Sequence, residues 1–239
     1  MIDYTIEDSI AFIKLDINKY NMFSIGTVSE LKSLFEKAKN DDQVRGVIIT
    51  GNDLSFCTGI AIEQMLKELD KSIILPFLGD NDNFLLYLFQ YPKPIISIIN
   101  GHSIGEGLLL QLCTDFVLIE NNSKIKIGLP EMNIGLSLSP IMFDIIEFYI
   151  SRKQIASLLY EGKFINCDFA KTVQLVDQIA AKDDLHAIAK DKIGELLRAG
   201  KDQFELSKLS VRDKTIKLMQ RHIKTEGTEN FLKALVEMK

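Results

Sequence analysis

The chain has no tryptophan, and only five prolines, three cysteines and three histidines among its 239 residues. Cys57, Cys113 and Cys167 are widely spaced, with no CxxC pair and no even framework. That excludes a disulfide scaffold and a zinc ribbon and favours a reducing compartment. There is no HExxH helix and no Walker lysine. Basic charge is not in excess: Lys and Arg total 28 against 33 Asp and Glu, a formal net charge of −5. Without a broad positive field, nucleic acid is not an expected partner. The longest apolar runs, such as Pro94 to Ile99, fall far short of the ~20 residues that a membrane helix needs. The opening MIDYTIEDSIAFIKLD is acidic early and then alternates, unlike a basic-then-apolar leader, and the closing LVEMK is not a peroxisomal tripeptide. The expectation is a cytoplasmic protein with no membrane segment.

What is present is an ordinary globular composition, 46% hydrophobic and 26% charged, free of biased tracts. A folded chain of this size buries roughly 70% of the surface it exposes when unfolded, enough for a core without staples. Ile10 to Leu15 reads as a strand. Ser24 is placed to cap a helix bearing Ile25, Val28, Leu31, Leu34, Phe35 and Ala38 on one face. Val44 to Thr50 and Ile95 to Ile99 are continuous apolar runs, the pattern of strands covered on both faces. Gly51 to Gly59 and Asn100 to Gly107 read as loops, each leading into a helix: Ile60 to Leu69 and Leu108 to Cys113. A further helix, Asn83 to Gln90, ends before Pro92, and the polar stretch around Asp70, Asp80, Asn81 and Asp82 reads as a loose wall. Phe116 to Ile119 and Ile125 to Ile127 are strands.

Beyond Pro140 the pattern is helical: Ile141–Tyr149, Arg152–Glu161, Asp168–Val173, Asp184–Arg198, Gln203–Arg221 and Thr228–Glu237, with a brief strand within Val173–Ile179. No linker divides the chain. It reads as one α/β domain over 1–239, with a core to about residue 185 and C-terminal helices from about 186.

Gly105-Glu106-Gly107 starts like a dinucleotide loop, but Leu110 replaces the third glycine and no acidic residue follows at the right distance. His186 and His222 lie on helices and read as surface or packing residues. His102, in a loop, is a candidate ligand contact, and Cys57 reads as a space-filler. The loops Ser55–Ile60 and Ser103–Gly107 both precede helices, whose first N–H groups lack internal partners. They are either plain α/β connections or, if they converge, a two-donor cradle for an oxyanion.

Several segments in order resemble the crotonase (enoyl-CoA hydratase/isomerase) superfamily. They are Gly46-Val47-Ile48-Ile49-Thr50-Gly51 before Phe56-Cys57-Thr58-Gly59-Ile60-Ala61-Ile62, and Pro92-Lys93-Pro94-Ile95 before Asn100-Gly101-His102-Ser103-Ile104-Gly105-Glu106-Gly107. Cys113-Thr114-Asp115 and Ile127-Gly128-Leu129-Pro130-Glu131 follow. The resemblance implies an α/β spiral of repeated ββα units, with C-terminal helices that build a homotrimer or a dimer of trimers. It also implies an acyl-CoA thioester as substrate, coenzyme A entering only as part of that substrate, and no metal. By position, the oxyanion donors would be the backbone N–H groups of Ile60 and Glu106, and Glu131 would be the catalytic carboxylate. Ala61, Ile62, Leu109, Lys19 and Tyr20 fall at substrate-binding positions, and Asn21 matches an early asparagine. Lys217, Arg221 and Lys224 are either a solvated helix face or a phosphate contact.

Hydratases of this family carry a second glutamate at the position of Leu109. With leucine there, hydration loses a proton-transfer group, whereas shifting a double bond needs only one base. The string Ile127 to Gly135 is similar to that of monofunctional Δ3-Δ2-enoyl-CoA isomerases. The expected activity is therefore isomerisation of a 3-enoyl-CoA to a 2-enoyl-CoA. The alternatives are a hydratase-like or decarboxylating relative, with Glu106 or His102 as the extra acid-base group, and an inactive acyl-thioester binder.

Overall fold

The apolar runs form the centre of the molecule, because each strand can bury both of its faces only between layers of helix. The computed structural model describes residues 1–62, 64, 65 and 70–225. Strands β1 (Ile2–Glu7), β2 (Ile10–Leu15), β3 (Gly46–Thr50), β5 (Ile95–Ile99), β7 (Phe116–Glu120) and β9 (Gln178–Ala180) make a six-stranded sheet in the order β1-β2-β3-β5-β7-β9. Only the β1–β2 pair is antiparallel. Side chains alternate across it. Ile48, Ile96, Ile98 and Leu118 face Leu185, Ala189 and Ile193, whereas Val47, Ile49, Ile99 and Ile119 join the larger core on the other side.

A second sheet, β4-β6-β8, consists of β4 (Ser55–Cys57), β6 (His102–Ile104) and β8 (Ile127–Gly128). The chain therefore steps from the large sheet to the small one three times: β3 to β4, β5 to β6, and β7 to β8. This is the expected ββα spiral. The segments 51–59 and 100–107, read from sequence as loops, each contain one of these strands, too short to show a period.

The helices are α1 (Thr27–Asn40), α2 (Lys71–Phe89), α3 (Glu106–Leu112), α4 (Pro140–Tyr149), α5 (Arg152–Glu161), α6 (Cys167–Thr172), α7 (Leu185–Leu196) and α8 (Lys201–Lys224). Two expectations change. Helix α1 starts after Gly26, whose φ of 90° ends the preceding turn, and Ser24 is not its side-chain cap. Helix α2 begins twelve residues before Asn83, capped by Asp70, whose carboxylate accepts the Ser72 N–H at 2.7 Å. Pro76 lies inside it, and Asn81 and Asp82 are buried rather than part of a loose wall. Burial of Phe77, Leu78, Phe84 and Leu85 outweighs the weak helix propensity of Gly79 to Asn83. The rest of the expected Ile60–Leu69 helix beyond Ile62, Gln64 and Met65, and the expected Thr228–Glu237 helix, lie outside the described residues.

Helix α8 clamps the ends of α2 and α3. Buried Arg212 donates to the carbonyls of Phe89 (2.8 Å), Cys113 (3.3 Å) and Thr114 (2.7 Å), and its guanidinium lies over the Phe89 ring. Asp115 compensates this charge, accepting Lys208 at 2.9 Å and lying 3.2 Å from Arg212. No described helix is long and apolar enough to cross a membrane.

Candidate active site

Two close approaches bring distant loops together. A Cβ on Gly107 would lie 2.0 Å from the Cys57 carbonyl oxygen, so only glycine lets the start of α3 press on the end of β4. A Cβ built on Gly59 would lie 3.8 Å from the Glu106 nitrogen. The loops are also fixed from outside. Phe23 N–H donates to Gly59 O (2.9 Å), Ala61 N–H to Phe23 O (2.8 Å) and Gly105 N–H to Gly128 O (2.9 Å). These bonds hold both neighbours of Ile60 and the residue before Glu106. Among the described residues, neither the Ile60 nor the Glu106 N–H donates a backbone hydrogen bond. Deeper support comes from Ser103, which donates to Gln111 (2.7 Å), whose amide in turn donates to Leu175 O (3.0 Å).

Both residues line one open cleft of about 640 Å³, together with Ile62, Leu78, Ile104, Gly105, Glu131, Ile134, Leu136 and Met142. Glu131 opens a short 3-10 turn (Glu131–Ile134) immediately after Pro130. Its carboxylate lies against the second loop: a Cβ on Gly105 would sit 2.9 Å from Oε1. Gly105, with φ of 56°, leaves that space open. Oε2 is buried with no hydrogen-bond partner. Burial pushes the carboxyl up to about 7, only partly offset by its own backbone N–H. The geometry thus sets two unpaired N–H donors and one carboxyl of raised pKa around a mostly apolar cleft.

A second acid at Glu106 is legible from its place in the second loop, but its direction is not. The Glu106 side chain is 4% exposed, and neither of its oxygens makes a well-formed hydrogen bond, the Asn81 side chain being its weak donor. Burial raises it to about 8; Asn81 acts in the opposite sense, while the charges of Asp82 and Glu131 raise it further. Asp82, also buried, is held up to about 7 by burial and weakly accepts Ser139 Oγ at 3.4 Å. Asn81 and Asp82 fall in the stretch expected to form a wall, but nothing in the sequence says that they turn inward; in the fold both are buried, and Asp82 meets Ser139.

The remaining expected positions divide. Ile62 lines the cleft, whereas Ala61 and the fully buried Leu109 lie outside its wall. Lys19 and Tyr20 are exposed, with the lysine ammonium 5.2 Å from the tyrosine ring centre. The Tyr20 carbonyl nonetheless accepts Thr58 N–H (3.1 Å) and Thr58 Oγ1 (3.0 Å), bracing the first loop. Asn21 is wholly buried at φ 49° and ties Ile17, Leu15 and Ser55 together through its side chain. His102 accepts Lys126 N–H and is not in the cleft wall; His186 stacks on Phe12; His222 meets Asp144 at 2.6 Å. Burial pushes the Cys57 thiol up, consistent with a packing role. Lys217 is paired with Asp213, and Arg221 and Lys224 are exposed. Among the described residues no His, Cys, Asp or Glu group could hold a metal ion.

Residues 5–235 match the Enoyl-CoA hydratase/isomerase family. The chain belongs to that family. It is 27% identical over 208 residues to enoyl-CoA delta isomerase 1, mitochondrial, of Mus musculus, covering 86% of this chain and 71% of the relative. It is 26% identical over 211 residues to crotonyl-CoA hydratase of Syntrophomonas wolfei, covering 87% and 79% respectively. In structure it resembles human mitochondrial delta3-delta2-enoyl-CoA isomerase, with a TM-score of 0.90, 23% identity, and 99% and 92% coverage. These matches establish the crotonase fold and the hydratase/isomerase family. Relatives of both activities stand at similar identity, so the choice between the two rests on the site.

Proposed function

We propose that this protein is an enoyl-CoA isomerase, moving the double bond of a 3-enoyl-CoA to the 2-position. The observation that carries this reading is the Glu131 carboxylate, lodged over Gly105 in the same cleft as the unpaired N–H groups of Ile60 and Glu106. The two N–H groups would hold the thioester carbonyl and bear the charge that develops on its oxygen. Glu131, titrating near neutrality, takes the C2 proton to give the enolate, and protonation at C4 completes the shift. Coenzyme A enters with the substrate, and no other cofactor is invoked.

An apolar wall of Ile60, Ile62, Leu78, Ile104, Leu136 and Met142 suits an acyl chain and discourages water beside the enolate. Hydration is the second reading. Glu106 supports it by restoring a second carboxyl to the cleft, although Leu109 is fully buried outside the wall. Coupled assays on 3-enoyl-CoA and 2-enoyl-CoA separate the two. Isomerisation with negligible 3-hydroxyacyl-CoA is expected; dominant hydration would overturn the proposal.

A further inference from the structure

The Glu106 side chain is unaccounted for by enolate chemistry with a single base. Its main-chain N–H is unpaired at the cleft, while the residue is 4% exposed and its carboxyl has no well-formed hydrogen bond, only the weak donor Asn81. A carboxylate so placed is costly, but a carboxylic acid brings its own donor and carries no charge. Electrostatic coupling joins it to Glu131 on one side and to Asp82 on the other. Behind it lie Asn81, whose Oδ1 is likewise unpartnered, and Asp82, which reaches Ser139. Glu106 thus lines the cleft with its buried carboxyl set just behind the wall, coupled to the Glu131 carboxyl that lies against Gly105.

We infer that the Glu106 side chain is a second acid–base group of this cleft, delivering a proton to the acyl carbon distal to the one that Glu131 deprotonates. This rests on the isomerase reading above. Glu131 removes a C2 proton, and the electron pair of that C–H bond passes into the enolate. The C3=C4 pair then takes the Glu106 proton, forming C4–H and breaking the Glu106 O–H bond. The enolate electrons form C2=C3 and restore the thioester carbonyl. Glu106 is left as the carboxylate and Glu131 as the acid, and proton exchange with water resets both.

Two measurements test this. In the first, 2,2-dideuterated 3-enoyl-CoA is turned over by the wild-type protein in ordinary water, and the product is examined by mass spectrometry. A single shuttling base carries deuterium from C2 to C4. Two separate acids give C4 label in fewer than about one in ten turnovers, and label at C4 in most turnovers would overturn the inference. In the second, Glu106→Gln should isomerise 3-enoyl-CoA about 100-fold more slowly than wild type. Isomerisation by this variant at the wild-type rate would overturn the inference while leaving the isomerase reading intact. A wild-type protein that neither exchanges C2 protons nor isomerises 3-enoyl-CoA would remove both. If Glu106→Gln does not fold, the label experiment decides alone.

Discussion

Glu106→Gln also has a thermodynamic consequence that is independent of turnover. In the unfolded chain this carboxyl releases its proton near 4.5, whereas in the fold burial, with the charges of Asp82 and Glu131, holds it to about 8. Between those pH values the folded protein binds a proton that the unfolded chain lacks, so stability falls as pH rises. The contribution of the acid form is fully present below the lower value and lost above the upper one. At ~1.4 kcal/mol per pH unit, the full window amounts to ~5 kcal/mol, and water entry around the charged form reduces this to ~2–5 kcal/mol. Glutamine has the same shape and is neutral throughout. Urea unfolding of both proteins, at matched concentration and at pH 5 and pH 9, measures the effect. Asp82 and Glu131 titrate in both proteins, so the difference between them largely isolates position 106. The variant should gain ~2–4 kcal/mol over wild type on going from pH 5 to pH 9. An equal difference at the two pH values would refute the assignment of a buried, proton-holding Glu106.

Gly105→Ala would place a methyl group 2.9 Å from Glu131 Oε1 at a backbone φ of 56°. Turnover of 3-enoyl-CoA should drop by at least ~100-fold, with a stability cost of about 1–2 kcal/mol; wild-type turnover would show that the carboxylate does not occupy that space. Arg212→Met leaves three buried carbonyls without their donor and unbalances Asp115. It should lower stability by about 2–4 kcal/mol in urea titration; a loss under ~0.5 kcal/mol would mean that apolar contacts of Ile216 and Met219 suffice to hold α8.

Much of the fold is written in local patterns. The apolar runs of β3 and β5 identify strands covered on both faces, and the 3-4 spacing from Val28 to Ala38 marks the buried face of α1. Arg152–Glu161 is delimited by Ser151, which caps α5, and by Gly162 at its C-terminus. The strands β4, β6 and β8 escape sequence reading because two or three residues cannot display a period, and they exist through pairing with one another. At the site, Ile60, Glu106 and Glu131 are named by the family resemblance, and the fold brings all three to one cleft. The Glu106 acid with Asn81 and Asp82 is different. Its surroundings come from residues of α2 and the start of α4 that are distant in the chain, and a polar residue in a helical stretch does not announce which face it takes. The same holds for the bonds that hold both neighbours of Ile60, which join Phe23 to Gly59 and Ala61 across a long separation in the chain.

In the proposed function Glu131 generates an enolate on a carbonyl held by two main-chain donors. Exchange of the C2 proton of a saturated acyl-CoA in D2O, followed by NMR with wild type and Glu131→Gln, isolates that step from everything after it. Wild type should catalyse the exchange, and the variant should slow it by ~10²–10⁴ with acyl-CoA binding retained. Exchange by Glu131→Gln at the wild-type rate would contradict the proposed function.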